Sequence, residues 1–245
     1  MSTLFLHGLG GSGNQMRPYA ARVQGQIIAP DILSHGNNPR SASGDEFAFD
    51  SLADDAVEQF LARWDRTPVN IVGVSMGAAI ALRIVLSGRL PVERVAFLRP
   101  SFTSYGLPEN LTIFPLMAQL LEQETQHTVL DALLDTKLYS DIERLSPAGG
   151  LALHAQVTQP RARERRERLL EIPRNRAYTA NELESVQIPR VVLASPRDPV
   201  HPVSIAHEWA EGLRCRVLLS PARDDGQAAV TNWYQEHVQS FLMPY

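Results

Sequence analysis

Six short apolar runs punctuate the chain: Thr3 to Leu6, Gln26 to Ala29, Val69 to Val74, Arg94 to Leu98, Arg190 to Ala194 and Cys215 to Leu219. Each is β-branched or Leu-rich and too short for a helix of ordinary length, the pattern of a strand buried on both faces. Longer periodic stretches lie between them. Asp45 to Trp64 places Phe49, Leu52, Ala53, Ala56, Phe60 and Leu61 on one face of a helix. Met76 to Leu86 is nearly all apolar, which predicts a central buried helix, and Val203 to Leu213 and Ala228 to Leu242 are amphipathic. The alternation predicts an α/β fold: a mostly parallel sheet of about six strands with helices on both faces.

One stretch breaks the rhythm. Residues 102 to 186 contain no convincing strand and several helical patterns separated by Pro108, Pro115, Pro147, Pro160 and Pro173. The expectation is a single domain over residues 1–245, with an all-helical insertion at about 102–186 lying over the strand ends. Inside it, Arg161 to Arg168 alternates basic and acidic residues, which reads as a solvated helix face laced with Glu/Arg pairs.

Composition narrows the field. Charged residues are 20% and hydrophobic ones 44% of 245, ordinary for a globular protein, and the net charge of -4 offers no footprint for nucleic acid or an anionic membrane. No segment reaches the ~18 apolar residues of a membrane span. The opening Met-Ser-Thr-Leu-Phe-Leu-His-Gly has neither basic leader nor cleavage site, so no signal peptide is expected and a cytoplasmic location is the default. The single cysteine, Cys215, excludes an internal disulfide and a cysteine-based metal site, and reads as a small core residue of the last strand.

The chemistry gathers where the apolar runs end. Gly73-Val74-Ser75-Met76-Gly77 follows a buried strand and precedes an apolar helix, the setting of a Gly-x-Ser-x-Gly nucleophile elbow. A sharp strand-to-helix turn exposes the serine hydroxyl above a helix N-terminus, where developing negative charge is favoured. Its glycines let strand and helix approach without Cβ clashes. Leu6-His7-Gly8-Leu9-Gly10-Gly11-Ser12-Gly13 follows the first strand and leaves backbone N–H groups free to face a ligand. A phosphate-cradling loop wants Lys-Ser/Thr after its glycines, and here Asn14-Gln15 follows.

Taken in chain order, the His7-Gly8 loop, Ala29-Pro30-Asp31 with His35-Gly36, and the Ser75 elbow resemble the α/β-hydrolase superfamily. That resemblance implies a helical lid at 102–186 and a loop at residue 7 that leaves no room for the family's first two strands. It implies Ser75 as nucleophile and the N–H groups of Leu9 and Met76 as oxyanion hole. Asp198, in Ser195-Pro196-Arg197-Asp198-Pro199-Val200-His201-Pro202, matches the acid that orients a catalytic histidine. The family carries that histidine just past the last strand, but here the loop reads Ser220-Pro221-Ala222-Arg223-Asp224-Asp225-Gly226-Gln227, with Asp225 about where it would fall. Among the seven histidines, His201 is the best substitute, because the loop after the acid borders the pocket in this family. Arg99, Arg197 and Arg223 lie at strand ends, where they can hold an anion or pair with Asp198, Asp224 and Asp225.

The leading expectation is a serine hydrolase acting on an ester, thioester or small amide through an acyl-enzyme on Ser75, with Asp198 and His201 completing the catalytic set. It needs no cofactor and no metal, and takes a small-molecule substrate with an apolar part. The alternatives are a lyase, cyclase or isomerase on the same scaffold, or a binding protein with a dead elbow. Oligomeric state is not written in these patterns.

Overall fold

The computed structural model describes residues 1–243. Six strands form one sheet: β1 (Ser2–Leu6), β2 (Gln26–Ile28), β3 (Val69–Val74), β4 (Val92–Leu98), β5 (Arg190–Ala194) and β6 (Val217–Leu219). Their order is β2-β1-β3-β4-β5-β6, and every neighbouring pair is parallel. The helices are α1 (Arg17–Ala20), α2 (Phe49–Leu61), α3 (Met76–Ser87), α4 (Ile113–Gln123), α5 (Val129–Leu134), α6 (Lys137–Leu145), α7 (Pro147–Thr158), α8 (Glu167–Glu171), α9 (Ala180–Ser185), α10 (Val203–Gly212) and α11 (Gln227–Leu242). The sixth strand starts two residues later than the apolar run predicts. Cys215 precedes it, half-buried against the core.

Side-chain alternation splits the strands between two cores. Leu4, Leu6, Ile71, Val95, Phe97, Val192 and Ala194 face α2, α3, α10 and the helical segment. Phe5, Val72, Val74, Ala96, Leu98, Val191 and Leu193 face the other way, against Val230, Tyr234, Val238 and Leu242 of α11. Burial on both faces is why the runs of the central strands are largely apolar rather than alternating, whereas the edge strands β2 and β6 expose Ile27 and Leu219. No helix among the described residues is long and apolar enough to cross a membrane.

Register decides where chemistry can gather. Leu6 pairs with Gly73, Val74 with Leu98, Leu98 with Leu193, and Ala194 with Leu219. These strands therefore end almost level, and the loops after β1, β3, β4, β5 and β6 leave from one edge, where open parallel sheets hold their ligands.

Among the described residues, 102–186 hold helices α4 to α9 and no strand. Asn110 Nδ2 donates to the carbonyls of Ser101 (3.0 Å) and Val200 (2.7 Å), tying the segment to two strand-end loops. The indole N–H of Trp209 donates to Phe102 O at 2.8 Å. The Arg161 to Arg168 stretch differs from its expected solvated face. Arg161 does pair with Glu164 at the surface, but Arg165 and Arg168 are buried. Arg165 donates to the carbonyls of Gly36 (2.7 Å) and Asn38 (3.0 Å), and Arg168 to that of Ser34 (2.9 Å). The loop after β2 presents these carbonyls inward, and a forked guanidinium on a long stem satisfies them where water cannot. Charge alternation along the sequence does not show which arginines have such acceptors.

The turn between β3 and α3 rests on two missing side chains. A Cβ at Gly77 would strike the Leu6 carbonyl, and one at Gly73 would strike the Gly77 carbonyl. Both obstacles are backbone, one at the end of β1 and the other in the first turn of α3, so neither can yield cheaply. Gly77→Ala is expected to lower unfolding stability by ~1–3 kcal/mol or more, the range of an overpacked core. A urea midpoint unchanged from the native protein would refute this close approach.

Candidate active site

The loop after β1 is built on His7. This buried ring donates from Nδ1 to the Gly8 carbonyl (2.8 Å) and accepts at Nε2 from the Ile32 N–H (3.1 Å). Accepting at Nε2 requires the neutral ring with its proton on Nδ1. Burial holds its pKa down at about 4, against the opposing pull of the Gly8 hydrogen bond. His7 is thus a brace that shapes the loop. Beyond it, a Cβ on Gly8 would lie 3.4 Å from the Ser75 Cβ, so the loop passes directly beside the elbow. Leu9 sits in a turn, and its carbonyl accepts from Gln156 Nε2 of α7 at 2.8 Å.

Ser75 occupies φ 56°, ψ -114°, a strained conformation for a residue with a side chain. Its N–H donates to the Leu98 carbonyl (2.9 Å), which holds the turn against β4. Met76 opens α3. As a first-turn residue its N–H has no carbonyl partner within the helix. Ser75 Oγ lies 3.0 Å from Ser101 Oγ, a fully buried hydroxyl just past the end of β4. Sequence reasoning passed over Ser101; the available signal was its place at the end of the strand next to the elbow.

Asp198 follows β5 and is buried. Its Oδ1 accepts from the His201 backbone N–H at 3.2 Å. Three basic groups converge on Oδ2: His201 Nδ1 at 3.0 Å, Arg99 Nη1 at 3.4 Å and Arg223 Nη1 at 3.5 Å. The imidazole contact is close but lacks the alignment of a full hydrogen bond. Burial alone would push the Asp198 carboxyl up, but His201, Arg99 and Arg223 outweigh it and hold the group far below the usual carboxylate range. His201 is held below its ordinary value by burial, Asp198 opposing and the two arginines adding to the effect. It is therefore neutral at pH 7, the form that accepts a proton.

Ser75, Leu9, Arg99, His201 and Arg223 line one cavity of about 400 Å³, walled on its outer side by Phe114 of α4 and by Leu153 and Gln156 of α7. Asp198 stands behind it. The structure thus brings Ser75, Leu9 and His201 together, with Met76 at the root of the elbow and Asp198 against His201. A more open hollow of about 620 Å³ lies between Asp31 and Asp55. Those carboxylates already accept from the Gly13 and Asn37 amides and from the Leu33 amide, Gln59 and Arg40. They are consumed by structure, so the Ser75 cavity is the better site.

The loop after β6 departs from expectation. Asp225, the residue nearest the missing histidine's place in sequence, pairs with Arg197 at the surface, both half-exposed. Asp224 accepts from Ser146 Oγ (2.8 Å) and the Ala148 N–H (2.7 Å), fastening the loop to the start of α7. Arg223 is the residue that enters the cavity. A short helical turn at Arg223–Asp225 directs successive side chains apart, which counting along the sequence cannot anticipate.

Residues 3–239 match the model of the alpha/beta hydrolase family, and the chain belongs to that family. A stretch of 118 residues is 31% identical to the magnesium-chelatase 30 kDa subunit of Rhodobacter capsulatus. That match covers 47% of this chain and 40% of the relative, so it spans well under two thirds of that protein. MenH from S. aureus superposes with a TM-score of 0.74 at 16% identity, covering 99% of this chain and 93% of the other. A thermophilic esterase from Thermogutta terrifontis gives 0.72 at 14%, covering 99% and 91%. At these identities the structural likeness establishes the fold.

Two buried imidazoles and a third largely shielded in the cavity wall give the protein an acid-side signature. Burial is the leading cause holding His7, His35 and His201 below the ordinary value. Each takes up its proton near ~6.5 when unfolded but at a lower pH when folded, well below for His7 and His35, so stability falls as pH drops through that window. For His7, a change from 6.5 to about 4 amounts to ~3 kcal/mol by pH 4. Urea unfolding from pH 7 to 4.5 should show this loss, and His7→Asn should flatten the slope by one histidine's share. An equal slope in the variant would remove His7 from the account.

Proposed function

We propose that this chain is a serine hydrolase that cleaves an ester, thioester or small amide through an acyl-enzyme on Ser75. One observation carries the reading: the strained serine and a neutral histidine line the same cavity, and a buried carboxylate stands 3.0 Å behind that histidine's Nδ1.

In this scheme Ser75 Oγ attacks the substrate carbonyl carbon while its proton passes to Nε2 of His201. The Nδ1 side of the ring faces Asp198, which leaves Nε2 as the acceptor, and the carboxylate stabilises the imidazolium that forms. The carbonyl oxygen becomes an oxyanion held by the N–H groups of Leu9 and Met76. The carbon–heteroatom bond then breaks, the leaving group departs with the proton from His201, and water repeats the sequence to free the acid. In the resting protein Ser75 Oγ is paired with Ser101, so substrate entry must turn the hydroxyl toward His201. The helical segment serves as the lid, and Phe114 and Leu153 supply an apolar wall for the acyl or leaving group.

Labelling by a fluorophosphonate probe and turnover of p-nitrophenyl acetate test this reading. Both should disappear in Ser75→Ala. His201→Ala should lower kcat by ~10²–10⁴, the usual worth of a positioned general base. Asp225→Asn should leave turnover as it is, because Asp225 lies outside the cavity. In the native protein kcat/KM should hold steady above neutrality and fall only below the ordinary histidine value of ~6.5. Absence of labelling in the native protein, or turnover indifferent to His201→Ala, would overturn the scheme and favour a non-hydrolytic role for the same pocket.

A further inference from the structure

The cavity wall is unbalanced in charge. It carries Arg99 and Arg223, while no carboxylate is among its lining residues. Asp198 behind it is the acidic partner of both, and with His201 neutral the cluster holds two positive charges against one negative.

Asp198 does not use up these guanidinium groups. Both reach the same oxygen, Oδ2, at 3.4 and 3.5 Å, longer than the ~2.7–2.9 Å of a close charge-assisted hydrogen bond. That oxygen also faces His201 Nδ1 at 3.0 Å, and Oδ1 is taken by the His201 amide. Arg99 Nε is buried with no hydrogen-bond partner among the described residues. Among the described residues Arg223 Nη2 donates only to the Ala148 carbonyl, at 3.2 Å. A single arginine in close contact would suffice to neutralise Asp198. Two loosely held ones, opening on the cavity that contains Ser75, leave donors to spare in a place where burying unpaired cations is costly.

We propose that Arg99 and Arg223 form an anion subsite of the Ser75 cavity that takes a carboxylate carried by the substrate. The proposal rests on the hydrolase reading for the bond that is broken, but not for the binding itself. A planar carboxylate fits forked N–H donors two at a time, and it restores charge balance to the cluster. The substrate then has an anionic end at the arginines, its reacting carbonyl at Ser75 and an apolar portion against Phe114 and Leu153.

Two measurements decide it. The first compares p-nitrophenyl hemiglutarate, which carries a free carboxylate, with p-nitrophenyl valerate, a neutral ester of equal chain length. The native protein should prefer the anionic ester in kcat/KM by ~10–100-fold, the worth of a hydrogen bond to a charged group. Arg223→Gln should bring the ratio toward one, and Arg223→Lys should recover part of it. Because the ratio is taken within one protein, a general loss of folding or activity does not alter it. A native ratio near one, or a preference kept in Arg223→Gln, overturns the subsite. The second measurement is calorimetric titration with succinate, which requires no turnover. Binding to the native protein that is lost in Arg223→Gln supports the subsite even if neither ester is cleaved, in which case the hydrolase reading alone fails. Absence of binding overturns the subsite, and inorganic phosphate binding more tightly than succinate overturns its assignment to carboxylates.

Discussion

The close approach of β3 and α3 to the end of β1 is the constraint on which the rest depends. Backbone meets backbone there, at Gly77 against Leu6 and at Gly73 against Gly77. No side chain can be accommodated, so the chain must turn within a single residue, and that residue is driven to a positive φ. Everything around Ser75 inherits its place from this turn. The amide of Ser75 locks onto Leu98, bringing the end of β4 and with it Arg99 and Ser101 to the elbow. The level register of the strands then brings the loops of β1, β5 and β6 to the same edge.

Much of this was legible in the chain. Central strand positions could be read because strands buried on both faces must be apolar throughout, and α3 because its first two turns are core on every side. The elbow could be read because glycine is required at its two contact points. What could not be read depends on side-chain direction in irregular loops. Asp225 and Arg223 are two residues apart, yet one faces solvent and the other the cavity. Ser101 gives no signal beyond its position after a strand. Arg165 and Arg168 look like surface charge until the carbonyls of Ser34, Gly36 and Asn38 are seen opposite them. The rule that arginines stay exposed fails where folding supplies acceptors that only a long, many-donor side chain can reach.

Asp198 shows how one carboxylate can be asked to serve several neighbours. It faces an imidazole and two guanidinium groups that need a counter-charge, and all three meet on one oxygen. Burial makes the arrangement strong and also makes it expensive to leave incomplete, since a lone charge in such a place has no water to relax toward it. The pull of the arginines and the pull of the carboxylate act on His201 in opposite senses, and burial tips the result toward the neutral ring.

The grip of Arg165 and Arg168 on the loop after β2 also bears on how the molecule comes apart. Three main-chain oxygens of the sheet domain find their donors on the helical segment. Peeling that side of the segment away would strand oxygens and guanidinium groups together, so it has no low-cost intermediate and should melt with the sheet as one cooperative unit. The opposite side, at α7, is held by Gln156 to Leu9 and, at the helix start, by Asp224 and Arg223. The helix that roofs the cavity is thus fastened at its start to the same loop that sends Arg223 into that cavity, so roof and floor share one anchor.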